Sequence, residues 1–364
     1  MSSEESIVSS VASKGECNEI DTGEYNMPLH IAAIFIEIGV SFLGTLLPII
    51  GKRSPRLRMS DYAFALAKNF GTGVILATSF IHMLCPAMEN LSNECLPKSF
   101  REAYEGWAGL FALLACLTIQ FIQTCAVAHA NRKEAAAGAT TEPLLATEAG
   151  ASPRSAAATV APELQVNATL TPHGHDHGHE HAPGEECDHV HTMLLDPRNT
   201  AGSGSRRVAT YMLELGIATH SVIIGVCLGV ARGDEFKGLM VALAFHQFFE
   251  GIALSTTVLD SGFKTMAQPI AVVIFYTLTT PIGVAIGVAI SSAYNANSVS
   301  TLLIQGVFDA VSAGILLYDG LVNMLNNNIT HNKGFEALSP LRKSFQFLAL
   351  WLGATVMAVI GRWA

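Results

Sequence analysis

Long apolar runs, each close to twenty positions, recur along this chain with polar breaks between them. Eight stand out, at roughly residues 28–50, 62–84, 105–128, 207–230, 237–259, 267–290, 299–322 and 342–361. A helix rises about 1.5 Å per residue and the hydrocarbon layer is about 30 Å thick, so about 20 mostly apolar residues can cross it. The pattern predicts an all-α polytopic membrane protein with eight transmembrane helices. Composition points the same way. A mean hydropathy of +0.38, with 50% hydrophobic and 14% charged residues, is too apolar for an ordinary soluble domain. The predicted organisation is a polar, acidic N-terminal tail (1–27), spans one to three (28–128), a long loop (129–206) and spans four to eight (207–364). The tail lacks the charged-then-apolar start of a cleaved signal peptide, so the first span is expected to act as its own insertion signal.

Two strings inside these runs interrupt the apolar pattern. Residues 219–225 read Thr-His-Ser-Val-Ile-Ile-Gly, and residues 245–251 read Phe-His-Gln-Phe-Phe-Glu-Gly. On a helix, His246 and Glu250 are four apart and share a face, which Gln247 borders. An ionisable group in mid-membrane costs on the order of 3 kcal/mol on insertion scales. If spans four and five are antiparallel neighbours, His220, His246 and Glu250 can meet around a divalent cation, which would make that cost intelligible. Neutral imidazole offers one acceptor nitrogen and a carboxylate two oxygens. Two His and one Glu suit zinc, iron(II), manganese or cobalt. Gln247 and Ser221 add weaker oxygens or hold water. A hydrogen-bonded His–Glu pair without metal is the plainer alternative for His246 and Glu250, and an interhelical hydrogen bond is the plainer one for His220.

Other polar positions carry less. His82 is expected at the end of the second span with Glu89 beyond it, where they would guide ions to an entrance or cap the helix. Thr280, expected to offer a hydroxyl to the pathway, precedes Pro281, which leaves a gap in the hydrogen-bond ladder of the sixth span and is expected to kink it. Asp309 and Asp319 in the seventh span, and Glu214 in the fourth, would line a route or make interhelical hydrogen bonds. Lys68 is a candidate counter-ion for one of these acids, and Glu37 is unassigned. Gly225-x-x-x-Gly229 and Gly283-x-x-x-Gly287 predict close helix packing.

Charge sets an orientation. The loop Gly-Lys-Arg-Ser-Pro-Arg-Leu-Arg, residues 51–58, places the end of the first span in the cytoplasm by the positive-inside rule. Both chain ends then lie outside. Of 21 Lys and Arg, 14 fall in inside loops and six outside (Lys14, Lys98, Arg101, Arg232, Lys237 and Arg362), with Lys68 within a span. No basic stretch carries interleaved aromatics, so nucleic acid is not an expected partner. Cys17 and Cys95 fall on the same outer side, where a disulfide can form if that side is oxidising.

The loop 129–206 is rich in Ala, Thr, Glu, Gly and Pro and reads as disordered. It holds His173, His175, His177, His179, His181, His189 and His191, seven of the 13 histidines. Such a tract binds metal through flexible imidazoles and is expected to buffer or sense it rather than carry transport. Residues 70–84 align without gaps to 311–325. Because the second and seventh spans run in opposite directions, a repeat there would be inverted, as in transporters that bind substrate at mid-membrane.

The strings HSVIIG (220–225) and FHQFFEG (245–251) closely resemble the signature of the ZIP family of zinc and iron transporters, in its plant and fungal version. TTPIG (279–283), QGVFDAVSAGILLY (305–318) and FGTGVILATSFIHML (70–84) resemble it too. The resemblance implies eight spans, an inverted repeat of spans one to three with six to eight around spans four and five, and divalent metal moved into the cytoplasm. It makes His220 the ligand of span four, His246 and Glu250 those of span five, and Gln247 an auxiliary ligand. Ser221 stands where some relatives have Asn. Relatives with a two-metal centre carry a carboxylate four residues after the first His; Ile224 occupies that place here, and Gln247 stands where some have Asp. One intramembrane site is therefore expected.

The expected activity is transport of zinc(II), with iron(II), manganese(II) or cadmium(II) as other cargoes, by alternating access and without a resident cofactor. Two other classes are a membrane-embedded metal sensor or receptor and a membrane metalloenzyme. The latter would normally show HExxH or several His boxes, which this chain lacks. The expected surroundings are a lipid bilayer, with the plasma membrane the default and an intracellular vesicle the alternative. A homodimer is an open expectation.

Overall fold

The computed structural model describes residues 17, 24–53, 59–139, 203–263, 265 and 267–363. The described residues are helical, with no strand among them. Among the described residues, eight helices are long and apolar enough to cross a bilayer: Met27–Lys52, Asp61–Ser92, Trp107–His129, Arg206–Val230, Gly233–Asp260, Ala267–Ile290, Val299–Thr330 and Pro340–Ile360. They are spans one to eight. The chain is an all-α, multi-pass integral membrane protein. Its outward surfaces carry residues such as Phe35, Leu117, Phe121, Leu348 and Trp351, all more than half exposed, as a lipid-facing surface requires.

Spans two and seven exceed their predicted lengths. The second continues past residue 84 to Ser92, and the seventh past 322 to Thr330. Both contain wide i→i+5 turns, Thr78–Leu84 and Asp319–Thr330. These turns begin at matching positions of the two aligned stretches, since Thr78 falls opposite Asp319. In the second span the α-helix resumes at Cys85, with Pro86 as its second residue. The apolar pattern ends earlier than the helix because both extensions are polar.

Small residues set the closest approaches. Spans four and six run together along two glycine pairs. A Cβ on Gly225 would stand 2.5 Å from the Thr280 carbonyl oxygen and 3.0 Å from the Gly283 Cα, and one on Gly229 would stand 2.7 Å from the Gly287 Cα. The two GxxxG strings therefore pack on each other. Gly73 and Gly353 do the same for spans two and eight, each Cβ position colliding with a backbone carbonyl of the other helix (Leu350 and Phe70). Span one packs on spans five and six, and span seven on spans two and four. Span three joins span seven through Ala115, Ile119, Ile315 and Tyr318. Pro281 stays inside a continuous sixth helix.

Cys17 and Cys95 form a disulfide, with Cα atoms 5.5 Å apart. Asn295 Nδ2 also donates to the Cys17 carbonyl, at 3.0 Å. Nearby in the chain, the Tyr25 hydroxyl donates to the Gly229 carbonyl (2.7 Å) and the Gly233 N–H to that of Glu24 (3.1 Å). Glu24 and Tyr25 are thus tied to the turn between spans four and five.

Candidate metal centre

Spans four and five are joined by only Ala231 and Arg232 before Gly233, whose φ of 56° is left-handed and suits a residue without a Cβ. So short a connection makes the two helices antiparallel neighbours and sets their register. His220 lies ten residues before Val230 and His246 thirteen after Gly233, roughly 15 and 20 Å from the turn at 1.5 Å per residue. Both are buried and their ring centroids are 5.6 Å apart. Glu250 is fully buried one turn after His246, and their Nε2 and Oε1 atoms are 3.2 Å apart.

These groups are short of partners. Both oxygens of Glu250, both ring nitrogens of His246 and Nε2 of His220 are buried without a hydrogen bond. The His246–Glu250 approach is therefore close contact without hydrogen-bond geometry. Buried polar atoms left unpaired cost about 1–3 kcal/mol each and are uncommon in folded proteins. Five such atoms fall on three adjoining side chains. Among the described residues, no three His, Cys, Asp or Glu side chains close tightly enough to enclose an ion; the donors are neighbours rather than a finished cage.

The auxiliary positions separate. Gln247 is fully buried and turned toward span one: its Nε2 donates to Ser41 Oγ at 3.2 Å, and its backbone carbonyl accepts from the Tyr276 hydroxyl at 2.5 Å. Its side-chain oxygen has no partner. The hydroxyls of Ser221 and Thr280 are also buried and unpartnered.

His82 is not at the end of its span. Because the second helix continues to Ser92, His82 lies inside the bundle, its ring edge-on to His246 with centroids 4.9 Å apart. Its Nε2 donates to the Met357 carbonyl at 2.7 Å. Glu89 is exposed, seven residues further along the same helix. Asp309 is buried beside His220, with Oδ1 3.4 Å from its Nδ1. Asp319 belongs to a different cluster, accepting from Asn323, which exchanges hydrogen bonds with Gln123 of span three. Lys68 is no counter-ion to the buried acids. It pairs with Asp260 at 2.7 Å, a half-exposed residue at the far end of span five. The histidines of the 173–191 tract lie outside the described residues.

Sequence reasoning left Glu37 without a place. It is fully buried in span one, with neither oxygen hydrogen-bonded, four residues before Ser41. That i,i+4 pair of polar residues in an apolar helix was the available signal. Tyr276, four before Thr280 in span six, marks a second such stripe.

The model of the ZIP zinc transporter family matches residues 27–361, which takes in all eight spans. The chain belongs to the ZIP family. Its family is one of metal transporters rather than enzymes. Among the ZIP relatives, zinc transporter 8 of Oryza sativa subsp. japonica is 36% identical over 357 residues, covering 92% of this chain and 88% of its own. Zinc transporter 7 of the same plant is 37% identical over 347 residues, covering 91% and 87%. An Arabidopsis thaliana protein named Fe(2+) transport protein 3, chloroplastic, is 31% identical over 364 residues, covering 88% and 82%. The paired His strings of spans four and five lie within the matched residues of this ZIP chain.

Proposed function

We propose that this protein carries divalent transition-metal ions, zinc(II) foremost, across a membrane into the cytoplasm, with His220, His246 and Glu250 as the binding set. The observation that carries the reading is the group of unpartnered nitrogens and oxygens that spans four and five bury together. Neutral imidazoles and a carboxylate supply borderline donors that accept zinc, iron(II), manganese(II) or cadmium(II) and release them again, unlike a four-thiolate cage. The names of the plant relatives, zinc transporters and an Fe(2+) transport protein, favour the same cargoes. Gln247 and Ser221 assist with oxygen or water, Thr280 borders the route, and His82 adds a third imidazole beside His246.

The mechanism proposed is alternating access. Spans one, four, five and six form one packed group and spans two, three, seven and eight another. The His/Glu set belongs to the first and His82 and Asp309 to the second, so relative motion of the groups would open the set to one side and then the other. The matching wide turns in spans two and seven favour an inverted repeat. The end bearing Cys17–Cys95 is assigned to the outside, where a disulfide persists, and the plasma membrane is the assigned location. The His-rich loop then faces the cytoplasm as a metal buffer or sensor.

The test is uptake by metal-starved cells expressing the protein, with labelled zinc challenged by unlabelled iron(II) and manganese(II). Saturable zinc entry, reduced by competing divalent ions, is expected. Metal-evoked signalling or product formation without net entry would replace the reading with a sensor or an enzyme.

A further inference from the structure

His220 has its two ring nitrogens in different situations. Nε2 is buried with no partner, while Nδ1 meets Asp309 Oδ1 at 3.4 Å. Both residues are buried, Asp309 at 5% exposure. An ionised carboxylate only accepts hydrogen bonds, and a neutral imidazole has a single N–H. If Asp309 takes that proton's hydrogen bond, the proton is held on Nδ1 and the lone pair is left on Nε2, the atom free to bind metal. Metal-ligating histidines commonly need such an outer partner to fix tautomer and ring orientation.

The partner is on another helix group. His220 is in span four, packed with spans five and six, whereas Asp309 is in span seven, packed with spans two and three. The two spans approach closely, since a Cβ on Gly216, one turn from His220, would stand 2.7 Å from Leu316 Cδ2. Any sliding of span four along span seven therefore changes the Asp309–His220 distance directly.

We propose that Asp309 is the positioning residue for His220, holding its ring ready for metal in this arrangement and releasing it when the helix groups move. The inference rests on His220 being a ligand and goes beyond it by naming what readies that ligand. Asp309 does not itself touch the metal.

The experiment is labelled-zinc uptake against zinc concentration, normalised to surface protein, for the full chain carrying Asp309→Leu, Asp309→Asn or His220→Ala. Leu removes the acceptor at similar size, while Asn removes the charge and keeps an acceptor oxygen. For Asp309→Leu the half-saturating zinc concentration is expected to rise about tenfold or more, the range seen for outer-partner losses, with the maximal rate within about twofold. Asp309→Asn is expected to recover most of that shift. An unchanged half-saturation in Asp309→Leu, or an equal shift in both variants, overturns the proposal. Asp309→Ala serves if the Leu variant is not at the surface. If neither is, Asp309 serves the fold and the proposal falls. His220→Ala separates the two levels: normal, saturable uptake there removes the ligand reading itself, whereas impaired uptake beside an unaffected Asp309→Leu removes only the positioning role.

Discussion

His246 Nε2 and Glu250 Oε1 stand 3.2 Å apart and make no hydrogen bond. One helical turn brings them together in the middle of span five, and neither has another partner. A structural His–Glu pair would align its N–H on the carboxylate, because a buried unsatisfied donor or acceptor costs about 1–3 kcal/mol. The misalignment leaves their nitrogen and oxygen atoms unpaired, and His220 from span four brings a third side chain with an unpaired atom beside them.

Acid should weaken the interaction with metal. Binding needs imidazole lone pairs, and a proton on any of the ring nitrogens that face the ion removes one. As the external solution is made more acidic, the half-saturating zinc concentration is expected to rise, with the maximal rate much less affected. Uptake curves at a series of pH values check this.

The glycine seam between spans four and six should not accept side chains. At Gly225 a Cβ would meet the Thr280 carbonyl at 2.5 Å, while at Gly109 nothing lies within 4 Å. Gly225→Val is expected to lose about 1–3 kcal/mol or more, as overpacking does, and Gly109→Ala close to nothing. Thermal denaturation of the purified protein, read by fluorescence-detected size-exclusion chromatography, distinguishes them.

The disulfide can be read chemically. Denatured, unreduced protein treated with an alkylating reagent should remain unmodified at Cys17 and Cys95 and be modified at Cys85, Cys116, Cys125 and Cys227. Peptide mass spectrometry before and after reduction checks the pairing. It also tests the assignment of that end to an oxidising compartment.

Deleting residues 173–191 removes seven histidines without touching a span. Zinc uptake by the deletion is expected to persist, with its response to high metal altered. Loss of all flux in a correctly localised deletion would move the tract from regulation into the transport route.

Much of this was legible in the sequence because a bilayer imposes a strong pattern. Eight apolar runs gave eight spans, and His246 with Glu250 could be placed on one face from spacing alone. The wide turns in spans two and seven were not legible. Nor were the polar extensions of the two helices, which run past the point where hydropathy falls; missing the one in span two put His82 at an end of its span when it lies against His246. The pairing of Asp309 with His220 was beyond reach for another reason: they are 89 positions apart, and no local period records which helices touch. Lys68 misled because a charge within an apolar run looks buried, whereas its long stem carries the ammonium out to Asp260.

The most direct test is zinc uptake, normalised to surface protein, by His246→Ala and Glu250→Ala. The account predicts that each reaches the membrane in normal amount and that saturable uptake is abolished in both. Wild-type saturable uptake by these two variants would contradict it, and would mean that the ions cross elsewhere.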